Sequence, residues 1–222
     1  MMQLYIANKN YSSWSMRPWL VLRAFHLPFQ ERMIPFSEDL AGGPFKQTLK
    51  ALHDNAKVPV LKDGELLIWD SLAICEYLAE KYPEHALWPK DIAQRAWARS
   101  VSAEMHSSFA ALRSLCGMNI QADFSTQGKI LWDAHAELRE DVARIEYIWA
   151  QRPQASAFLC GEFSIADAFF APVVMRFKAF QLPVSADTEL YMQQVLQHPA
   201  VALWVEAAQA EQTLARMEQY AR

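Results

Sequence analysis

Two short apolar runs, Val58-Pro59-Val60-Leu61-Lys62 and Glu65-Leu66-Leu67-Ile68-Trp69, are joined by Asp63-Gly64. Asp-Gly between such runs is a strong hairpin signal, because glycine readily takes the positive φ that a tight reversal needs. A hairpin makes its two strands antiparallel, which excludes an all-parallel sheet. Upstream, residues 3–7 read as a strand, and Met16, Trp19, Leu20, Leu22 and Phe25 recur at helical spacing. Pro18 fits the first turn of that helix, where a missing N–H costs nothing. A second strand is expected over 30–35. Gly42, Gly43 and Pro44 then break the chain ahead of a short helix over 45–52. Downstream of the hairpin, Asp70-Ser71 opens a helix with Leu72, Ile74, Cys75, Leu78 and Ala79 on its apolar side. Residues 1–82 thus read β-α-β-α-β-β-α, an α/β unit whose sheet is mixed.

Residues 83–91 carry two prolines and form a natural linker. From 92 to 222 the pattern is all-helical, with segments near 92–118, 129–151, 164–180, 188–196 and 198–219. Apolar residues make up 52% of the chain and charged ones 21%, which supports packed cores rather than disorder. The net charge of −4 gives nucleic-acid binding no electrostatic support. The longest apolar run, residues 168–175, is interrupted by Pro172 and falls short of a membrane span, so no membrane partner is expected. The first residues lack the layout of a signal peptide. Cys75, Cys116 and Cys160 are widely spaced and form no metal-ligand pattern, which fits a reducing cytoplasm and no bound metal.

Chemistry concentrates in a few places. The loop Tyr11-Ser12-Ser13-Trp14-Ser15-Met16-Arg17 lies between the first strand and the first helix, at the carboxyl end of the sheet where α/β folds bind ligands. Its hydroxyls face a helix N-terminus, which favours an anion; helix capping accounts for one serine equally well. Val58-Pro59 is either a trans start to an edge strand or a cis turn that frees the Val58 backbone for a peptide-like ligand. Asp70-Ser71 caps a helix and can also offer a hydroxyl to a carboxylate and an acceptor to an ammonium. Ser164-Ile165-Ala166-Asp167 reads as a structural capping box, worth about 0.5–2 kcal/mol. Glu104, His106 and Arg113 are polar groups on an otherwise apolar helical stretch, and are either its solvated face or ligand contacts.

Together these pieces resemble the glutathione transferases along nearly the whole chain. Ser12-Ser13-Trp14-Ser15-Met16-Arg17 is similar to the Ser-Ser-Cys-Ser-x-Arg motif of the zeta class, which includes maleylacetoacetate isomerase. Lys57 to Leu61, Asp63-Gly64, Asp70 to Ile74 and Phe163 to Asp167 match further family segments in order. The resemblance implies a thioredoxin-like domain over 1–82, a linker over 83–91 and a helical domain over 92–222. It implies reduced glutathione as co-substrate, an electrophilic small molecule as second substrate, and a homodimer. Ser12 falls at the serine expected beside the glutathione sulfur, with Ser13 its competitor. Val58 would pair with the cysteinyl backbone, Pro59 would be cis, and Asp70 and Ser71 would hold the γ-glutamyl end. Lys57 is a candidate partner for the glycyl carboxylate. Tyr11, Trp14, Ser15, Arg17, Glu104, His106 and Arg113 are secondary candidates.

Two positions depart from the zeta pattern. Trp14 replaces its cysteine, and Pro44 stands where a glutamine is expected. The implied chemistry is activation of a thiol by a seryl hydroxyl, with Tyr11 as the rival donor. No cysteine occupies positions 12–15, so mixed-disulfide chemistry is not expected. A glutathione-binding or protein-interaction module without turnover, and a maleylacetoacetate-type isomerase, are the alternatives.

Overall fold

The computed structural model describes residues 1–37, 39 and 43–214. Strands β1 (Met2–Ile6), β2 (Phe29–Met33), β3 (Val60–Asp63) and β4 (Leu66–Trp69) form one sheet in the order β2-β1-β3-β4. β1 and β2 run parallel, while β3 is antiparallel to both β1 and β4. The crossover between the parallel strands is helix α1 (Ser13–Ala24). The hairpin turn lies one residue later than expected. Asp63 still pairs with Leu66, so Gly64 and Glu65 make the turn, and Gly64 takes φ 61° at its first position. β3 begins only at Val60, leaving Val58 outside the ladder.

Helices α2 (Pro44–Leu52) and α3 (Ser71–Lys81) complete this first part, and a 3₁₀ turn over Pro83–His85 leads out of it. Then follow α4 (Ile92–Ser107), α5 (Ala110–Leu115), α6 (Ser125–Ala134) and α7 (Ala136–Trp149). The chain continues through α8 (Ile165–Phe180), α9 (Ala186–Gln197) and α10 (Pro199–Gln209). Two expected helices are split. The first breaks where Phe109 turns left-handed at φ 59° and buries its ring, and Asp141 accepts the Leu112 N–H at 2.9 Å within α5. The second breaks at His135, which is extended between α6 and α7. The last expected helix stops at Gln209, and its residues 215–219 lie outside the described residues.

α8 is buried over its whole length except at Lys178, and it packs against α1, α4, α6 and α9. Pro172 sits inside it, a defect worth about 3 kcal/mol in an isolated helix. Phe169, Phe170, Phe177 and Phe180 outweigh that defect, since each fully buried ring contributes about 1.5–3 kcal/mol. α6 crosses the end of α8 closely enough that a Cβ on Gly128 would stand 1.8 Å from the Phe180 carbonyl oxygen. α1 begins at Ser13, so Pro18 falls in its second turn rather than its first, and the Trp14 carbonyl lacks its usual helical donor.

The Ser164 capping box is present, but Asp167 does more than cap. It is fully buried and accepts from the N–H groups of Leu159 and Ser164, each at 2.9 Å. It also accepts the hydroxyls of Ser164 at 3.1 Å and Tyr191 at 3.0 Å. Replacing it strands those buried donors, each at a cost of about 1–3 kcal/mol. Asp167→Ala is therefore expected to cost more than about 3 kcal/mol, beyond the range of a lost cap. A thermal melt lowered by about 6 °C or more supports this; an unchanged melt refutes it.

Candidate active site

The seryl loop is held from both parts of the chain. The Asn8 carbonyl accepts from the N–H groups of Tyr11 at 3.2 Å and Ser12 at 2.8 Å, which curls the chain into α1. Asn10 Oδ1 accepts from the N–H groups of Ile120 at 2.6 Å and Gln121 at 3.0 Å. The indole of Trp204 donates to the Lys9 carbonyl at 3.0 Å. Glu211 receives the N–H groups of Lys9 and Asn10 at 2.8 and 3.1 Å.

Ser12 occupies the N-cap position of α1, yet its side chain makes no capping bond. Its hydroxyl instead donates to Ser15 Oγ at 2.7 Å, and Ser15 Oγ also accepts the Ala7 N–H at 3.3 Å. Ser13 Oγ accepts from the Arg176 guanidinium at 3.3 Å. Capping does not explain the side chain of Ser12.

Beside this loop lies a cavity of about 400 Å³, within the range of small-molecule sites. Lys57, Val58, Pro59, Asp70 and Ser71 line it together with Trp14 and Arg113, and the Val58-Pro59 bond is cis. Asn55 and Trp69 also line it and were not anticipated from the sequence. Asp70 caps α3 through Oδ1, which accepts from Leu72 N–H at 2.8 Å and Ala73 N–H at 3.4 Å. Its backbone is held at φ 75°, a conformation costing about 1–3 kcal/mol for a residue with a Cβ. Such strain at a cavity wall is a pointer to function rather than to stability.

A second cavity, of about 490 Å³, lies between the loop and the helices. Tyr11, Arg113, Met118, Phe124, Arg176 and Phe180 are on its wall, so Arg113 borders both cavities. The Tyr11 hydroxyl accepts the Leu214 N–H at 3.0 Å. Arg17 is buried between the rings of Trp14 and Phe169, at 4.2 and 4.7 Å, with one Nη 3.5 Å from Ser71 Oγ and its Nε unpartnered. Burial, then the cations Arg113 and Arg176, pull its pKa down to about 9, so it remains charged at neutral pH. Glu104 is elsewhere: it forms a bidentate pair with Arg144 at 2.7 and 2.9 Å and is not among the residues lining either cavity. Pro44 opens α2 and likewise lines neither.

Arg176 is not legible as a site residue in the sequence because it lies within the most completely buried helix. The available signal is a pair of cations, Arg176 and Lys178, on the apolar stripe running from Phe169 to Phe180. Among the described residues no group of His, Cys, Asp and Glu is arranged to hold a metal ion, and no helix is long and apolar enough to cross a membrane.

Residues 11–81 match the family model of the glutathione S-transferase N-terminal domain, and residues 95–207 that of its C-terminal domain. The chain belongs to the glutathione S-transferase family. It is 33% identical over 137 residues to a zeta-class glutathione S-transferase of Euphorbia esula, covering 61% of this chain and 60% of that one. It is 28% identical over 186 residues to a probable maleylacetoacetate isomerase of Caenorhabditis elegans, covering 82% of this chain and 81% of the relative. Its fold is similar to that of a glutathione transferase homologue from Burkholderia, solved with bound glutathione. The TM-score is 0.69 at 24% identity, over 95% of this chain and 99% of the other.

His106, from α4, reaches Asp70 with Nε2 3.2 Å from Oδ2, and its ring meets Trp14 edge-on at 5.1 Å. Burial lowers its pKa, as do Arg17 and Arg113, while Asp70 opposes them. The neutral ring then donates from Nε2 to Asp70 and leaves the buried Nδ1 without a partner. Because the folded state holds this proton less firmly than the unfolded chain, His106 favours folding at neutral pH. That contribution begins to be lost as pH falls below the unfolded value of about 6.5 and is gone once pH has fallen through the lower folded value. An NMR titration of His106 is expected to show a midpoint below the unfolded value, lowered further in Asp70→Asn. A raised midpoint contradicts the assignment.

Proposed function

We propose that this chain is a glutathione transferase in which glutathione lies along the 400 Å³ cavity with its sulfur at the seryl loop. The observation that carries the reading is the convergence of Lys57, Val58, Asp70 and Ser71 on one cavity beside the start of α1. Asp70 accepts from the γ-glutamyl ammonium, Ser71 donates to its carboxylate, and the Val58 backbone pairs with the cysteinyl unit. Lys57 faces the glycyl carboxylate. In this reading residues 1–82 supply the glutathione site and residues 92–222, beyond the linker 83–91, supply the second pocket. The protein works as a homodimer in the cytoplasm.

The chemistry is thiolate formation. A free cysteine thiol has a pKa of about 8.5. A hydroxyl donating to the sulfur anion contributes about 1.5–3 kcal/mol, and the N-terminus of α1 about 0.3–1 kcal/mol more. Together they lower the thiol pKa by about one to three units, at about 1.4 kcal/mol per unit. The guanidinium cations of Arg17, Arg113 and Arg176 act in the same direction. Ser12 is the assigned donor: hydroxyl hydrogens rotate, so Ser15 can donate to Ser12 and release the Ser12 hydrogen to sulfur. The thiolate then forms a C–S bond with the electrophilic carbon, and the leaving group departs with its electron pair.

Ultraviolet titration of bound glutathione tests this. Ser12→Ala is expected to return the thiol pKa toward about 8.5, while Tyr11→Phe leaves it low. A change confined to Ser13→Ala moves the role to Ser13, and no change in either variant refutes seryl activation. Asp70→Asn and Ser71→Ala are each expected to weaken glutathione binding by about tenfold or more; unaltered affinity contradicts the placement of the glutamyl end. Binding without conjugation of any model electrophile favours a non-catalytic module. The isomerase reading draws on the similarity to the Caenorhabditis elegans relative, but Trp14 stands where the zeta motif has cysteine.

A further inference from the structure

The turn that carries the chain from β1 into α1 is closed by a carboxylate from beyond α10. Lys9 to Ser12 present four successive backbone N–H groups. Those of Tyr11 and Ser12 are taken by the Asn8 carbonyl, within the turn itself. Those of Lys9 and Asn10 are taken by Glu211, Oε1 accepting the first at 2.8 Å and Oε2 the second at 3.1 Å. Lys9 and Asn10 are both buried, so neither N–H can fall back on bulk water. Gln121 completes the circuit. Its Nε2 donates to the carbonyls of Ala208, Gln209 and Glu211 at 2.9, 3.3 and 2.8 Å, and its Oε1 accepts from Asn10 Nδ2 at 3.3 Å.

Successive N–H groups aimed at one point make a concavity for an anion. A carboxylate offers each of them an oxygen, and such charge-assisted bonds are about twice as strong as neutral ones. An amide of the same shape cannot replace it, because its NH₂ end would face an N–H, donor against donor. The turn therefore needs the charge of Glu211 and not only its bulk. Ser12 lies two residues after Asn10, and its own N–H is tied to the same turn. A hydrogen bond weakens steeply as it goes out of line, so a shift of this turn misdirects the Ser12 hydroxyl. Lys57, Val58, Asp70 and Ser71 belong to other elements, and Glu211 touches none of them.

We propose that Glu211 is a positioning residue for thiol activation: its carboxylate clamps the backbone of Lys9 and Asn10 and so aims the Ser12 hydroxyl at the glutathione sulfur. The assignment rests on the transferase reading. It divides the work between the two parts of the chain. Lys57, Val58, Asp70 and Ser71 set how tightly the tripeptide is held, while the segment beyond α10 sets how acidic its thiol becomes. Losing Glu211 therefore changes the second property and leaves the first.

Ultraviolet titration of bound glutathione, paired with calorimetric measurement of its affinity, tests the proposal in Glu211→Gln. The bound thiol pKa is expected to rise by about one unit, the weight of one hydrogen bond to an ion, with glutathione affinity unchanged. Tyr191→Phe is the control for lost stability: it removes a core hydroxyl from Asp167, away from the seryl loop, and should lower the melt without moving the thiol. If Glu211→Gln does not fold, Gln121→Ala decides, since it releases the Glu211 backbone while keeping the carboxylate, and should shift the thiol the same way. A thiol pKa that stays low in the deciding variant, or one that rises equally in Tyr191→Phe, would overturn the proposal. A thiol pKa near its free value in the unaltered protein instead refutes seryl activation itself, and this assignment with it.

Discussion

Everything in the site hangs on α1 being packed from two sides. One face lies on β1 and α3, the other on α8 and α10, so a single helix belongs to the cores of both parts of the chain. Trp19 shows how tightly this is tied. Its ring meets Trp204 of α10 edge-on at 5.1 Å, and its indole N–H donates at 2.6 Å to Glu31 of β2. Glu31 in turn pairs with Lys9 of the seryl loop. The N-terminus of α1 is thereby fixed between the two cavities, with Trp14 on the wall of the first and Tyr11 on the wall of the second, while Ser12 and Ser13 are buried between them and line neither.

The same seam sorts charge. Asp70 places the acidic end of the first cavity at the start of α3, and Lys57 and Arg113 bring cations to its wall. Behind Trp14 and Ser13 stand Arg17 and Arg176, buried and without carboxylate partners among the described residues. An environment of this kind favours a sulfur anion without a general base. The protein's own thiols offer no such anion: burial raises Cys75, and pushes Cys116 and Cys160 up to about 12. In the proposed reaction the thiolate therefore comes from the bound glutathione.

Legibility in the sequence followed the range of the interaction that determined each feature. The hairpin, the Asp70 cap and the Ser164 box are local, and each was readable within a residue because turn and cap chemistry acts over a few positions. The hairpin slipped by one because Asp63 pairs across the ladder instead of turning. The breaks at Phe109 and His135 are not legible locally: Phe109 turns left-handed and buries its ring in the main core. Arg176 was hidden for the same reason: its partners, Cys116 and Ser13, are distant in sequence. The partner of Ser12 was equally unreadable, because the capping role that its position suggests is one its side chain does not take.

A crystal structure of the protein with reduced glutathione tests the central claim most directly. The account requires the sulfur within hydrogen-bonding reach of the Ser12 or Ser13 hydroxyl, the γ-glutamyl group on Asp70 and Ser71, and the cysteinyl backbone against Val58. A tripeptide bound elsewhere, or one whose sulfur points away from the start of α1, would contradict it.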